Sequence, residues 1–265
     1  MISFLSLSSG SSGNCYWFSD GKLSFLIDAG VGPRTCAKKL SEKGISLQDI
    51  SFILVTHDHS DHIKALGIIS SRYHKPVYTT RAISEALHHC MYTRGKLGGS
   101  LHTVEIGKEE DICGVKVTAF EVSHDASQTV GYHILFDGRR ITLITDCGRM
   151  TPKIAEYARK ADMLILESNY DERMLEEGDY TYILKERIRG GNGHLSNSQA
   201  AETIKDAWAN REGTLSHIFL CHLSDNNNTP ETALDASSRA LAEIGADNCL
   251  LATLPRGKAS ELYFI

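Results

Sequence analysis

Seven cysteines, at positions 15, 36, 90, 113, 147, 221 and 249, include no C-x-x-C pair and are odd in number. That argues against a disulfide framework or a zinc ribbon and fits a reducing cytosol. No stretch approaches the roughly 18–20 apolar residues of a membrane span. The opening MISFLSLSSGSSGN lacks a basic n-region and has only a short apolar run, so it does not read as a signal peptide. Positive charge is not in excess either. With 28 Lys and Arg against 33 Asp and Glu, the net charge of −5 does not suggest a general polyanion binder, so any nucleic-acid contact has to be local. No Pro- or Gly-rich linker, internal repeat or low-complexity tract divides the chain. What is present is ordinary for a soluble, cytoplasmic globular protein: 265 residues, 42% hydrophobic and 23% charged, enough for a full core.

The pattern along the chain predicts strands over 2–7, 15–18 and 23–28, a helix from Pro33 stopping at Gly44, and a buried strand SFILVT. SSGSSG at 8–13 looks like a flexible linker, but CYWF follows at once, so a tight Gly-rich turn between strands is expected. HIKALGIISSRYH has helical spacing, PVYTT reads as a short strand, and RAISEALHHCMY as a helix. Strands follow over 115–123, 130–138 and 139–146, with Asp-Gly in FDGRR signalling a hairpin. Helices are then expected over 152–160, 180–189, 196–210 and 230–244, alternating with strands over 163–168, 217–221 and 248–253. Sheet layers inside and helices outside, in one domain over 1–265, fit this order.

Residues 53–62, ILVTHDHSDH, place three histidines and two aspartates directly after a buried strand. Unpaired polar groups taken from water cost roughly 2–7 kcal/mol each, so such a cluster has to be bound to something or solvated. Its pattern is H-x-H-x-D-H: His57, His59, Asp61 and His62. Other strands end in the same chemistry, LIDAG at Asp28, FEVSHDAS at His124, LITDCG at Asp146 and IFLCHLS at His222. Singly, an Asp after a strand is a turn or cap residue and a loop His is solvated. Five such strand ends, counting the one at His57 that opens H-x-H-x-D-H, point to a metal site instead. Imidazole and carboxylate donors suit zinc, and a mixed N/O set also takes manganese or iron. Cys147 and Cys221 lie beside Asp146 and His222, but strand alternation turns them the other way, as small buried hydrophobes. Asp58 stays outside the ligand set, as a helix cap or a substrate contact.

With Asp28 before the cluster and His124, Asp146 and His222 after it, the sequence resembles the metallo-β-lactamase superfamily from about Asp28 to His222. SLSSGSSGN, LESNYDERML, GGNGHLSNSQAA and CHLSDNNNTPE resemble its YycJ (WalJ)-type bacterial branch, related to the tRNase Z and β-CASP nucleases. The resemblance implies an α/β fold, a four-layer αββα metallo-β-lactamase sandwich, with two divalent metal ions at one edge. His57, His59 and His124 would bind the first ion, and Asp61, His62 and His222 the second. Asp146 would bridge both beside a hydroxide, and Asp28 would orient ligands from behind. Hydrolysis is the chemistry such a pair supports.

In the related RNA-processing nucleases a Glu at a strand end supports a His in a loop near the leaving group. Glu167 and His194 match those positions, and with Asp61 they are the candidate catalytic groups. Asn169 is a weaker candidate for positioning the loop. Arg94 and Lys96, and Lys185, Arg187 and Arg189, form small basic lips, and the turn Ser11–Gly13 offers backbone N–H groups to phosphate. The large β-CASP insertion and the basic arm of tRNase Z are both absent from the sequence. The resemblance therefore implies a pared-down nuclease acting on nucleic acid, DNA over RNA, as an exonuclease from a 5′ end, linked to DNA repair or cell-wall signalling. The alternatives are a small-molecule acyl hydrolase (lactonase, thioesterase or β-lactamase-like), which has no need of the Glu167 and His194 pair, and a non-catalytic nucleic-acid-binding regulator, which tends to lose ligands. A flavodiiron oxidoreductase is disfavoured by His59 and by the absence of a flavin domain.

Overall fold

Continuous apolar runs such as ISFIL and MLIL suit strands covered on both faces, and both form interior strands of parallel stretches of sheet. The computed structural model describes residues 1–246 and 248–265. In chain order the first half holds β1 (Ser3–Ser8), β2 (Cys15–Ser19), β3 (Ser24–Ile27), α1 (Pro33–Ser41), β4 (Ile50–Leu54), α2 (Ser60–Ile63), α3 (Leu66–Tyr73), β5 (Val77–Thr79), α4 (Arg81–His89), β6 (Leu101–Thr103), β7 (Glu109–Ile112) and β8 (Val115–Val122). There follow β9 (Thr129–Phe136), β10 (Arg139–Ile144), α5 (Pro152–Arg159), β11 (Met163–Glu167), α6 (Glu172–Glu177), α7 (Tyr182–Arg189), α8 (Asn197–Ala209), β12 (His217–Cys221), α9 (Pro230–Glu243), β13 (Leu250–Thr253) and β14 (Tyr263–Phe264).

The strands form two mixed seven-stranded sheets, in the orders β14-β1-β2-β3-β4-β5-β6 and β13-β12-β11-β10-β9-β8-β7. Two sheets with helices packed on them bear out the α/β reading. The residues cluster into two compact units. One comprises Met1–Ala119, Ala126–Thr129 and Pro255–Ile265, and the other Phe120–Asp125 and Val130–Leu254.

In the first unit β3, β4 and β5 run parallel, so Asp28 and the segment entering His57 leave the sheet at the same edge. A row of phenylalanines crosses this sheet in register. Phe4, Phe18, Phe25 and Phe52 stack with centroids 4.9, 5.2 and 4.9 Å apart. Each such pair adds about 0.5–1.5 kcal/mol beyond burial, and together they stiffen the strands whose ends carry the donors. In the second unit β10, β11 and β12 are parallel, which brings Asp146, Glu167 and His222 to one carboxyl-terminal edge. Helices α5, α8 and α9 cover that sheet through Ile154, Tyr157, Ile204, Ala233 and Leu241, packed with Leu164, Leu166 and Leu220.

The structure departs from the sequence pattern in three places. The segment expected as one helix from His62 breaks into α2 and α3, because its backbone is diverted to a neighbouring loop: Ala29 N–H donates to His62 O and Ala65 N–H to Ala29 O, both at 2.7 Å. The strands β6, β7 and β14 carry few buried residues, so they have little of the apolar signal that marks a strand. Helix α6 is six residues, capped by Asp171 accepting from Met174 N–H, and is too short to show periodicity. Among the described residues no helix is long and apolar enough to cross a membrane.

Candidate metal and catalytic clusters

In the first unit three loops interlock through main chain. Asn14 N–H donates to Asp61 O at 2.7 Å, and Gly30 N–H to Asn14 O at 2.8 Å. A Cβ on Gly30 would stand 1.5 Å from Asp61 O, so only glycine allows this approach. The result fixes the H-x-H-x-D-H segment from behind.

Asp28 is fully buried, with a left-handed backbone (φ 60). One of its oxygens accepts from Thr56 N–H at 2.9 Å. The other meets the Thr56 hydroxyl at 2.8 Å and His62 Nδ1 at 2.7 Å. A carboxylate only accepts, so His62 Nδ1 carries its proton and Nε2 bears the lone pair. The Thr56 hydroxyl gives its hydrogen to Asp28 and therefore accepts from His57 Nδ1, 3.0 Å away, which leaves Nε2 of His57 as that ring's lone-pair nitrogen. The His57 ring lies 4.0 Å from His62 and 4.7 Å from His59, centroid to centroid. Asn14 Nδ2 sits 2.9 Å from His62 Nε2 and 3.2 Å from Asp61 Oδ2, so those two lone pairs aim at a common point. Asp58 faces elsewhere. It accepts from the Ser127 hydroxyl at 2.9 Å and does not cap α2, whose N-cap is His59.

In the second unit Asp146, Glu167, His194 and His222 each bring one donor atom within 4.8 Å of the others. Glu167 is the buried hub. Its Oε1 lies 2.8 Å from His194 Nδ1 and 3.0 Å from His222 Nδ1, while Oε2 accepts from Cys147 N–H at 2.8 Å and Leu195 N–H at 3.1 Å. Burial alone would raise its carboxyl, but His194 and the hydrogen bond from His222 outweigh that and hold it at about 2. For His194 burial works toward a lower value, and Glu167 overrides it and raises the imidazole above its ordinary value. His124 goes the other way. Burial lowers it and keeps the ring neutral, despite Asp146. Its Nδ1 donates to Gly193 O at 3.0 Å, and its Nε2 lies 3.5 Å from Asp146 Oδ1. Asp146 and His222 share the left-handed backbone of Asp28, at φ 51 and 53.

The donors in each unit are of the kinds that suit a divalent metal. Four imidazoles, His57 and His62 in the first unit and His124 and His222 in the second, have Nδ1 held by an oxygen of the chain, which reserves Nε2 for a metal, the arrangement a ligating histidine adopts. Asp61 and Asp146 add the carboxylates of a mixed N/O set. Cys147 and Cys221 are buried apolar neighbours. Burial pushes the Cys147 thiol far up, which leaves it inert.

Some functional contacts lie outside the motifs. Thr56, Asn14 and the carbonyl of Gly193 have no titratable group to mark them. Asn14 does end the SSGSSGN run, and that run's glycine turn serves it: Gly10 N–H donates to Asn14 Oδ1 and Gly13 N–H to Gly10 O, so these two N–H groups are engaged within the chain rather than offered to phosphate. Asn169 donates to His222 O at 2.7 Å, a contact that positions the ligand loop. Of the basic lips, Lys96 is held on Tyr92 O, Arg187 on Asp125, and Arg189 on Glu176 and Glu186.

A β-lactamase superfamily domain matches residues 24–218. The chain is 34% identical to exodeoxyribonuclease WalJ of Streptococcus pneumoniae over 254 residues, 94% of this chain and 93% of that one. It is 32% identical to exodeoxyribonuclease YycJ of Bacillus anthracis over 249 residues, 92% and 90% of the two. Among solved structures, the metallo-β-lactamase fold protein YhfI of Bacillus subtilis superposes with a TM-score of 0.71 over 98% of each chain at 14% identity, a likeness of fold.

Proposed function

The chain belongs to the metallo-β-lactamase superfamily, and from that premise we propose that it is a dinuclear-metal-dependent phosphodiesterase, an exonuclease that degrades DNA from a 5′ end. Kinship with two exodeoxyribonucleases along more than nine-tenths of the chain supports DNA over RNA. The superfamily match runs through both compact units, which supports residues 1–265 working as one domain. Seven free thiols support a cytoplasmic setting.

His57, His59 and His124 would hold one ion, Asp61, His62 and His222 the other, and Asp146 would be shared. Zinc, manganese and iron all suit these donors. When bound, two such ions supply Lewis-acid charge to the phosphoryl oxygens and an ionised water near neutral pH. The chain's own residues orient the donors, through Asp28 and Thr56 for His62 and His57, and through Glu167 and Gly193 O for His222 and His124. Glu167 also favours the charged form of His194, whose Nε2 proton is then available to the departing sugar oxygen.

The observation that carries the nuclease reading over an acyl hydrolase is the 2.8 Å pair of His194 with the buried Glu167. A sugar alkoxide is a poor leaving group, and a positioned acid is worth about 10²–10⁴-fold in rate. His194→Ala should slow cleavage of 5′-labelled DNA by that order while the metal content measured by elemental analysis stays near wild type. On a nitrophenyl phosphodiester, whose leaving group needs no proton, the loss should shrink. Equal losses on both substrates would remove the acid role, and a panel of 5′- and 3′-labelled DNA and RNA decides substrate and polarity.

A further inference from the structure

Helix α7 is anomalous. Among the described residues it is the one helix with no buried side chain. Eight residues form a marginal helix unless a face is packed, and here Thr181 caps the start while Lys185 and Arg189 tie it to α6 by bonds to Glu176. Its first turn carries Tyr182 at 71% and Ile183 at 81% exposure, the one adjacent pair of exposed large apolar residues among the described residues. Solvent is an unfavourable neighbour for two such side chains side by side.

The same helix is joined to the catalytic cluster at two points. Its last turn takes the loop that carries His194: His194 N–H donates to Ile188 O at 2.8 Å, and a Cβ on Gly193 would stand 2.1 Å from that oxygen. Arg187, 63% exposed, pairs with Asp125, whose other oxygen lies 3.4 Å from His124 Nε2. Ile183 and Arg187 are four residues apart and share a face, about 6 Å apart along the axis. An aromatic platform, an aliphatic neighbour and an exposed guanidinium therefore line one short helix. Its cations are paired, Arg189 with Glu176 and Glu186 and Arg187 with Asp125, and of the two Arg187 keeps the more exposed guanidinium.

We propose that α7 is the grip for the single-stranded end of the DNA substrate, with a base stacked on Tyr182 against Ile183 and a backbone phosphate at Arg187. The proposal rests on the nuclease reading above. Any base can stack on an aromatic face, so this grip suits an exonuclease that must hold every sequence in turn. Because α7 buttresses the loop of His194, a strand seated there is registered against the acid.

The test uses metal-loaded full-length protein and a 3′-fluorescein oligothymidine with phosphorothioate linkages at its 5′ end. The double variant Tyr182→Ala/Ile183→Ala should bind it about tenfold or more weakly, in line with the loss of one stacked base. Tyr182→Phe, which keeps the ring, should retain the affinity. The drop in kcat/KM on single-stranded DNA should exceed that on a nitrophenyl phosphodiester by a similar factor, since the small ester has no strand to seat on α7. Wild-type affinity in the double variant, or loss of affinity in Tyr182→Phe, overturns the stacking role. A changed oligomeric state with unchanged DNA affinity would instead make the face a contact between copies and overturn it too. Should the wild type bind and cut no DNA at all, the nuclease reading itself falls.

Discussion

The first unit brings four donors in six consecutive residues, 57 to 62, oriented by a buried aspartate and a threonine, whereas the second collects His124, Asp146 and His222, with the acid candidate His194, around one buried glutamate, Glu167. One cluster is local and rides on the exit from a single strand. The other depends on three parallel strands ending at the same edge. The chemistry is alike, but the dependence on the fold differs. A local cluster keeps its donors near one another whatever the sheet does. A distributed cluster is only as good as the strand register, which is why its hub is fully buried and bonded to two backbone N–H groups as well as to two histidines.

That difference governs what the sequence reveals. H-x-H-x-D-H is legible because its members are contiguous and a buried strand has no use for them. Asp146 and His222 are legible as strand ends, yet their common edge follows from β10, β11 and β12 being parallel, which no spacing states. Glu167 and His194 emerge through family resemblance. The second partner of Glu167, His222, does not, because 55 residues separate them. Thr56 and the Gly193 carbonyl stay hidden, since a hydroxyl next to a motif and a backbone oxygen carry no compositional mark. The division of the 62–74 segment into two helices is hidden as well, since the diverting partner is the backbone of Ala29.

The largest expected effect separates a shared donor from a local one. Asp146→Ala should abolish turnover by about three orders of magnitude or more and reduce bound metal by elemental analysis, because a carboxylate common to two ions has no substitute. His59→Ala should lose only part of the metal and be partly rescued by raising its concentration. Near-normal turnover of Asp146→Ala at saturating metal would show that the second cluster does not contribute a shared donor.

The hubs come next. Replacing an orienting partner of a ligand typically costs about 10–100-fold in metal affinity or activity. Asp28→Asn should fall in that range through His62 and Thr56. Glu167→Gln should be worse than His194→Ala, because it releases His222 as well as the acid, and it should lower metal affinity where His194→Ala does not. Titrating metal into each variant checks this by calorimetry. Equal metal affinity in Glu167→Gln and His194→Ala would mean that the bond to His222 does no orienting.

The same contrast extends to packing. Gly30 in the first unit would place a Cβ 1.5 Å from Asp61 O, and Gly148 in the second would place one 2.5 Å from Gly191 O. Both neighbours are backbone, so neither yields cheaply. Overpacking of this kind costs typically about 1–3 kcal/mol. Gly30→Ala should sit at or above the upper end, because it forces apart the three loops that hold the H-x-H-x-D-H segment, and Gly148→Ala nearer the lower. Chemical denaturation with and without metal reads both. An equal loss would show that the local cluster is no more tightly wedged than the distributed one.

The smallest effect concerns backbone strain, and it distinguishes the clusters from the rest of the surface. Among the described residues, six other than glycine have positive φ. Asp28, Asp146 and His222 are buried in the clusters, while His74, Cys113 and Asp137 are exposed. Strained conformations of this kind cost on the order of 1–3 kcal/mol and persist where the surroundings enforce them. At the clusters the enforcing bonds are the ones that aim the donors, so strain there is tied to function. At His74, the left-handed cap that ends α3, nothing comparable holds the side chain, and glycine is the residue that such a cap prefers. His74→Gly should therefore raise stability by up to about 1 kcal/mol. For a chain of this size that is roughly 2–4 °C in Tm, and catalysis should not change. Asp146→Gly relieves the same backbone strain but should lose both metal and activity. If His74→Gly instead lowered Tm, the exposed left-handed residues would be as firmly enforced as the buried ones, and left-handed backbone would cease to mark the functional clusters.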